Sequence, residues 1–149
     1  GAAREDDGRD RLAAELFADA ALRGGGTRAR AIGVQPEGSP YAYVHFYGRD
    51  VAAVRERPTL ADGLAGAIEG GSMTLALLPR LVDEMRLVTE KEIREAIAWV
   101  WAEAGEMIEP SAAVAVAACR SPGGRGPRVA VVSGGNIDPM LLQEVLGGM

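Results

Sequence analysis

Three short, mostly apolar runs set what this chain can fold into. They lie at residues 31–34, 85–88 and 129–132, and the last two lead directly into residues with helical spacing. A run that is apolar at successive positions, rather than alternate ones, suits a strand with both faces buried. Such strands pair in parallel, and parallel neighbours cannot be joined by a tight hairpin. The alternation of strands and helices therefore predicts an α/β fold: a three-layer sandwich with a mainly parallel sheet flanked by helices. In sheets of this kind ligands bind beyond the carboxyl ends of the strands, so the residues after each run are the first place to look for chemistry.

The helical stretches are specified unequally. Leu12, Leu16 and Ala20 form one row, with Ala13 and Phe17 beside it, and Gly24, Gly25 and Gly26 end that stretch. The clearest helix starts at Thr89, which forms a capping box with Glu92 three residues on. Ile93, Ile97, Val100, Trp101 and Ala104 share one face of it, and Gly105 stands where a C-terminal glycine belongs. This assigns Trp101 to the core and leaves Trp99 partly exposed. The run "AAVAVAAC" at 112–119 is apolar all round, as a buried helix is. Residues 75–82 and 140–146 complete the helical set, with Pro79 limiting the former or marking its first turn. Residues 37–58 are aromatic and fit either a short helix or a packed loop. Residues 59–74 carry Gly63, Gly66, Gly70 and Gly71, which suits a short helical turn followed by a loop.

Composition narrows the chemistry. A chain of 149 residues is expected to form one domain spanning 1–149, with the polar residues 1–11 frayed. The net charge of −5 offers no electrostatic reason to bind nucleic acid or an anionic membrane. No apolar run approaches the length of a membrane span, and no signal-peptide pattern opens the chain. Cys119 is the only cysteine and His45 the only histidine, so no disulfide, cysteine cluster or two-imidazole metal site is possible within the chain. The reducing cytoplasm is the expected location. Lys91 is the sole lysine among sixteen basic residues. The first residue is glycine rather than methionine, as expected of a trimmed or processed piece.

Few positions advertise chemistry, and each has a plain structural alternative. Ser133, Gly134, Gly135 and Asn136 follow the third apolar run. Two glycines there allow close backbone approach to a ligand, and the next helix offers unpaired N–H groups. The alternative is a strand-to-helix turn capped by Asn136 or Asp138. Glu109, before Pro110, either polarises a cofactor or interacts with the amino end of the following helix. Asp62 and Gly63 form either a site loop or an ordinary turn. His45, among Tyr43, Phe46 and Tyr47, suits packing better than catalysis.

Five blocks in order resemble one family: "ARAIGVQPEGSP", "TLADGLAG", "LVDEMRLVTEKEIREAIAWV", "IEPSAAVAVAA" and "RVAVVSGGNID". Between Leu12 and Asp138 the chain is similar to the second half of threonine dehydratases and serine racemases, pyridoxal-phosphate enzymes of fold type II with a tryptophan synthase β-like architecture. The resemblance implies pyridoxal 5'-phosphate as cofactor and a small hydroxy amino acid as substrate. The implied reaction is loss of the β-hydroxyl to give a 2-oxo acid and ammonia, with racemisation the alternative. It also implies that Ser133 hydrogen-bonds the pyridine nitrogen, that Glu109 lies near the cofactor, and that Asp62 and Gly63 form the family's ADG turn. A neutral hydroxyl at that nitrogen leaves the ring unprotonated, a weaker electron sink.

Departures from the family pattern matter as much. The Schiff-base lysine belongs to the family's N-terminal half, and Lys91 matches a capping turn on a surface helix. Where the glycine-rich phosphate loop belongs, only Gly8 stands, among Asp6, Asp7 and Asp10. The family's metal-binding acids are replaced by Gln35 and Tyr41, so no metal site is expected. The chain is thus expected to be an incomplete version of the fold, inactive alone, and either a homo-oligomer or completed by an N-terminal half. A degenerate, non-catalytic binding or assembly module is the alternative.

Overall fold

The computed structural model describes residues 30–69, 71–122 and 126–148. The expected helix at 12–20, the glycines after it and the acidic residues around Gly8 lie outside the described residues.

Two strands pair in parallel. β1 (Ile32–Pro36) runs beside β2 (Glu84–Val88), in register from Ile32 opposite Glu84 to Pro36 opposite Val88. β1 extends two residues beyond the apolar run and closes on Pro36. The ladder then continues through Glu37, whose N–H donates to the Val88 carbonyl at 2.9 Å. Met85 and Val88 point to opposite faces of β2, as the alternation of a strand requires, and each anchors a separate core.

On the Met85 side lie α1 (Tyr41–Phe46) and α2 (Met73–Leu81), contributing Ala42 and Leu78, with Tyr43 and Phe46 packed alongside. On the Val88 side lie α3 (Glu90–Ala104), α4 (Pro110–Arg120) and α5 (Pro139–Gly147). Their core includes Ile93, Ile97, Val114, Val116, Leu142 and Val145, with Val34 of β1 packed against it. The sheet is therefore covered on both faces, as its apolar strands require. Single 3₁₀ turns at Val51–Ala53 and Asp62–Leu64 interrupt the long crossover between the strands.

Local signals hold well. Thr89 accepts from the Glu92 N–H at 3.2 Å, and Glu92 accepts from the Thr89 N–H at 2.8 Å, completing the capping box. Gly105 ends α3 in the left-handed conformation at φ 67°. α4 buries seven of its eleven residues.

Four expectations are corrected. Residues 129–132 form no strand: among the described residues the sheet has two members, and the third run has no ladder partner. Trp101 is not core but 41% exposed, like Trp99 at 42%. The buried face of α3 ends with Ile97 and Ala98, and no residue of its last turn is buried. Trp99 instead stacks under the Arg120 guanidinium, 4.7 Å from its ring centre. α2 starts two residues early and holds Pro79 in its final turn, where a proline costs one helical hydrogen bond near the helix end. His45 is exposed, because Ala42 and Phe46 occupy the inward face of α1.

At the start of β2, Glu84 bonds Arg86 at 2.7 Å and Arg30 at 3.0 Å. The hydrogen bond and charge of Arg86, then the charge of Arg30, hold the Glu84 carboxyl below its ordinary value. A depressed carboxyl stabilises the fold above its unfolded pKa, and this is lost as acid protonates the folded form. Glu84→Gln is expected to cost about 0.5 kcal/mol at neutral pH, the scale of a solvent-screened pair. It should also flatten the acid-induced loss of stability between about pH 5 and pH 3. Urea melts at both ends of that range measure it, and an unchanged acid slope would contradict the assignment.

Candidate cofactor site

The amino end of α4 organises the candidate residues. Pro110 occupies the first helical position, where its missing N–H costs nothing and its fixed φ suits the turn. Glu109 precedes it as N-cap, its carbonyl accepting from Ala112 at 3.1 Å and Ala113 at 3.0 Å. The Glu109 side chain makes no capping bond to the helix. It faces the serine–glycine turn instead: a Cβ added to Gly134 would overlap the Glu109 carboxylate. The Glu109 N–H donates to the Gly134 carbonyl at 3.1 Å, fixing the two backbones together. The carboxylate is thus directed at the turn and not at the helix it precedes.

On the other side of the same helix start, a Cβ on Gly63 would stand 2.8 Å from Ser111 Oγ. The Asp62–Gly63 turn is thus also pressed against α4. Asp62 accepts from the Gly63 N–H at 2.9 Å, and Glu90 holds the approach to the turn by accepting from the Leu60 N–H at 2.8 Å. The buried Ser39 and the exposed Glu56 secure its far end, both accepting from the Gly66 N–H.

The serine–glycine turn is held from below by Ile137, 8% exposed, whose N–H donates to the Gly135 carbonyl at 3.1 Å. A Cβ on Gly135 would come within 3.0 Å of the Met107 carbonyl, so this position too requires a close approach. Asp138, not Asn136, caps α5, accepting from Met140 at 2.7 Å and Leu141 at 3.1 Å. This corrects one expectation: those helix N–H groups are taken by Asp138 and are not offered to a ligand. Asn136 is exposed three residues before the helix.

Ser133, Gly134 and Gly135 open onto a cleft of about 380 Å³, whose other walls are Glu106, Met107, Ile108 and Val132. Asp62 lines a different cleft of about 410 Å³ with Glu56, Arg57, Pro58, Thr59 and Ala65. The two glycine turns therefore share the α4 platform without sharing an opening. Met107, Ile108 and Ser111 were not singled out from the sequence. The available signal was the short link from Gly105 to Pro110, which confines these residues to one end of two packed helices. Gln35 is buried, and its side-chain oxygen accepts from the Tyr43 N–H at 2.9 Å, a role in α1. Lys91 is 84% exposed beside Glu95 at 3.6 Å, on the first turn of α3.

A parallel sheet between helix layers, with a serine–glycine turn over an apolar-walled cleft, defines an α/β cofactor-binding architecture. Residues 17–134 match the model of the pyridoxal-phosphate dependent enzymes, and the chain belongs to that family. It is 35% identical over 128 residues to the L-threonine ammonia-lyase of Thermotoga maritima, covering 85% of this chain and 32% of that enzyme. It is 37% identical over 114 residues to a catabolic L-threonine dehydratase of Staphylococcus aureus, covering 72% of this chain and 32% of that one. The chain thus spans about a third of the length of the curated relatives it matches. Among solved structures it is similar to the threonine deaminase of T.th., with TM-score 0.64, 27% identity and coverage of 85% of this chain and 46% of that one. Maize serine racemase matches with TM-score 0.64 and 25% identity, over 80% of this chain and 39% of that one. These are enzymes of fold type II, and the family implies pyridoxal phosphate.

The residues present fit part of that cofactor. Met107, Ile108 and Val132 line the cleft with apolar groups that suit a flat ring, and Ser133 adds a hydroxyl, whereas the space beside Gly134 and Gly135 is taken by the Glu109 carboxylate and the Met107 carbonyl. A lysine to hold the cofactor's aldehyde carbon is not available at this cleft, since the only lysine in the sequence is Lys91. Among the described residues no helix is long and apolar enough to cross a membrane.

Proposed function

We propose that this chain forms the ring-nitrogen side of a pyridoxal-phosphate dependent threonine/serine ammonia-lyase and does not turn over substrate unaided. The observation carrying this reading is the Glu109 carboxylate seated on Gly134, in the turn that carries Ser133 to the mouth of the cleft. When bound, pyridoxal phosphate supplies the electron sink for loss of the α-proton and departure of the β-hydroxyl. Ser133 would hold the ring-nitrogen edge of the cofactor with a neutral hydroxyl, a group too weakly acidic to protonate it. Gly134 and Gly135, which admit the Glu109 carboxylate and the Met107 carbonyl, would hold the turn beside the cofactor, with Asn136 completing it. Met107 and Val132 would offer apolar surface to the ring face. Glu109 keeps the turn in place, and Asp62 and Gly63 shape the adjoining loop through Ser111.

The substrate is a small hydroxy amino acid, threonine or serine, and the chain operates as one domain in the cytoplasm, in a homo-oligomer or with a complementing N-terminal half. A second reading, a degenerate binding or assembly module, is favoured by Asp6, Asp7 and Asp10 standing where the family's glycine-rich phosphate loop belongs. Incubation with pyridoxal phosphate, borohydride reduction and mass spectrometry test the proposal. The expected result is no 2-oxo acid from threonine or serine and no reduced adduct on Lys91. An adduct there with turnover would overturn it. Serine racemase-like activity on completion would appear as D-serine.

A further inference from the structure

Tyr47, at the carboxyl end of α1, is 43% exposed and belongs neither to a core nor to the cofactor cleft, yet its side chain is firmly held. Its ring meets that of Tyr43 edge-on with centres 4.8 Å apart, and that of Phe46 at 5.0 Å. The Arg49 guanidinium lies 5.7 Å from its centre and 5.5 Å from that of Tyr43. These contacts fix the hydroxyl, which donates to the Met85 carbonyl at 3.1 Å and accepts from the Met85 N–H at 3.3 Å. Both groups of Met85 belong to the outer edge of β2. Backbone groups along a strand face its two sides in alternation. The Val88 carbonyl accepts from Glu37, which continues β1, so Glu84 and Arg86 face β1 as well, and Met85 and Leu87 face away. Among the described residues no strand lies on that side.

A free edge is a template for another chain. We infer that the Tyr47 hydroxyl is a plug that closes the outer edge of β2 against a second copy of this chain. A hydroxyl both donates and accepts, so one tyrosine oxygen takes the place of the two groups that a neighbouring strand would bring to Met85. Leu87 is then the only outward position of β2 left, and a single position does not support a ladder. The excluded occupant follows from symmetry. Two copies of this edge related by a two-fold axis run antiparallel and are self-complementary. Arg49, held over the ring, brings the same charge to both sides of such a pair and opposes it further. The plug needs neither the cofactor nor Ser133, so it stands apart from the proposed function.

Tyr47→Phe removes the hydroxyl and keeps the ring among Tyr43, Phe46 and Arg49, which makes it the test in the 149-residue chain. At low concentration the Met85 amide is expected to exchange about tenfold faster than in the parent, the scale of one lost hydrogen bond. As concentration rises, that amide should become protected again, and sedimentation should show association at about tenfold lower concentration than the parent needs. Leu87→Pro supplies the control. Its missing N–H faces outward, where a proline is tolerated on an edge strand but cannot donate to a new neighbour. The double variant Tyr47→Phe/Leu87→Pro should therefore return to the association of the parent. Association and Met85 exchange unchanged in Tyr47→Phe would overturn the proposal. So would association that Leu87→Pro fails to reverse, which would place the contact on another surface. Exchange in α3 should stay as in the parent. Its loss in Tyr47→Phe would make the hydroxyl a requirement of the fold and not a plug of the edge, and would equally overturn the proposal.

Discussion

Replacing Ile97 with alanine is expected to remove about 4 kcal/mol of folding stability, near the top of the range for buried aliphatic truncation. Ile97 is 1% exposed and Ile93 fully buried, in a cluster where Ala96, Ala113 and Ala117 let α3 and α4 approach closely. Alanines cannot swing into a void, so the cavity left by three lost carbons stays open and adds its own cost to the lost transfer energy. Domains of this size have about 5–15 kcal/mol in total, so the variant would sit near the limit of folding. Ile97→Val, which removes one methyl, is expected to cost only about 1 kcal/mol. Trp101→Ala supplies the contrast: despite its size, a side chain 41% exposed should cost less than Ile97→Ala, about 2 kcal/mol. Urea denaturation of the three variants gives the order directly. A tryptophan effect larger than that of Ile97 would return Trp101 to the core.

That contrast marks where the sequence is readable. The capping box at Thr89 and Glu92, the glycine at 105 and the apolar run of α4 are decided within a few residues, and all three take the expected form. The parallel pairing of β1 and β2 follows from apolar residues on both strand faces, because burial leaves no other neighbour for them. Trp101 fails because helical spacing reports the face of a residue and not how far burial extends along that face, which here ends at Ile97 and Ala98. The third run fails for a related reason: β-branched residues favour extended backbone, whereas a ladder is a property of two segments. The site was legible in part. Position beyond an apolar run picked out Ser133, Gly134 and Gly135, and the structure places them on one cleft. The role of Glu109 was a choice of two, and what bears on it is a contact across 25 positions of sequence that no local pattern encodes. The separation of Asp62 into its own cleft is likewise a tertiary result.

Gly134→Ala is expected to reduce threonine turnover of the completed enzyme by about 100-fold, the scale of a misplaced positioning group, while lowering stability by only about 1 kcal/mol. The asymmetry follows from what the new methyl would meet. Gly134 does not have a positive φ, so alanine is allowed by the backbone and the conflict is purely one of contact. The overlapped atoms are the carboxylate end of Glu109, a flexible group that can swing aside at small cost to the fold. In moving, it leaves its place against the turn that carries Ser133, and the Glu109–Gly134 backbone bond is strained with it. Glu109→Ala removes the same group directly, so both variants share one cause. In a double-mutant cycle on folding stability, Gly134→Ala combined with Glu109→Ala should cost less than the sum of the singles by about 1 kcal/mol, since the methyl then fills the vacated space. Activity should follow the same pattern, the double variant being no worse than the poorer single. Strict additivity in both measurements would mean that the carboxylate does not rest on Gly134 in solution, and the turn that carries Ser133 would lose that contact with the start of α4.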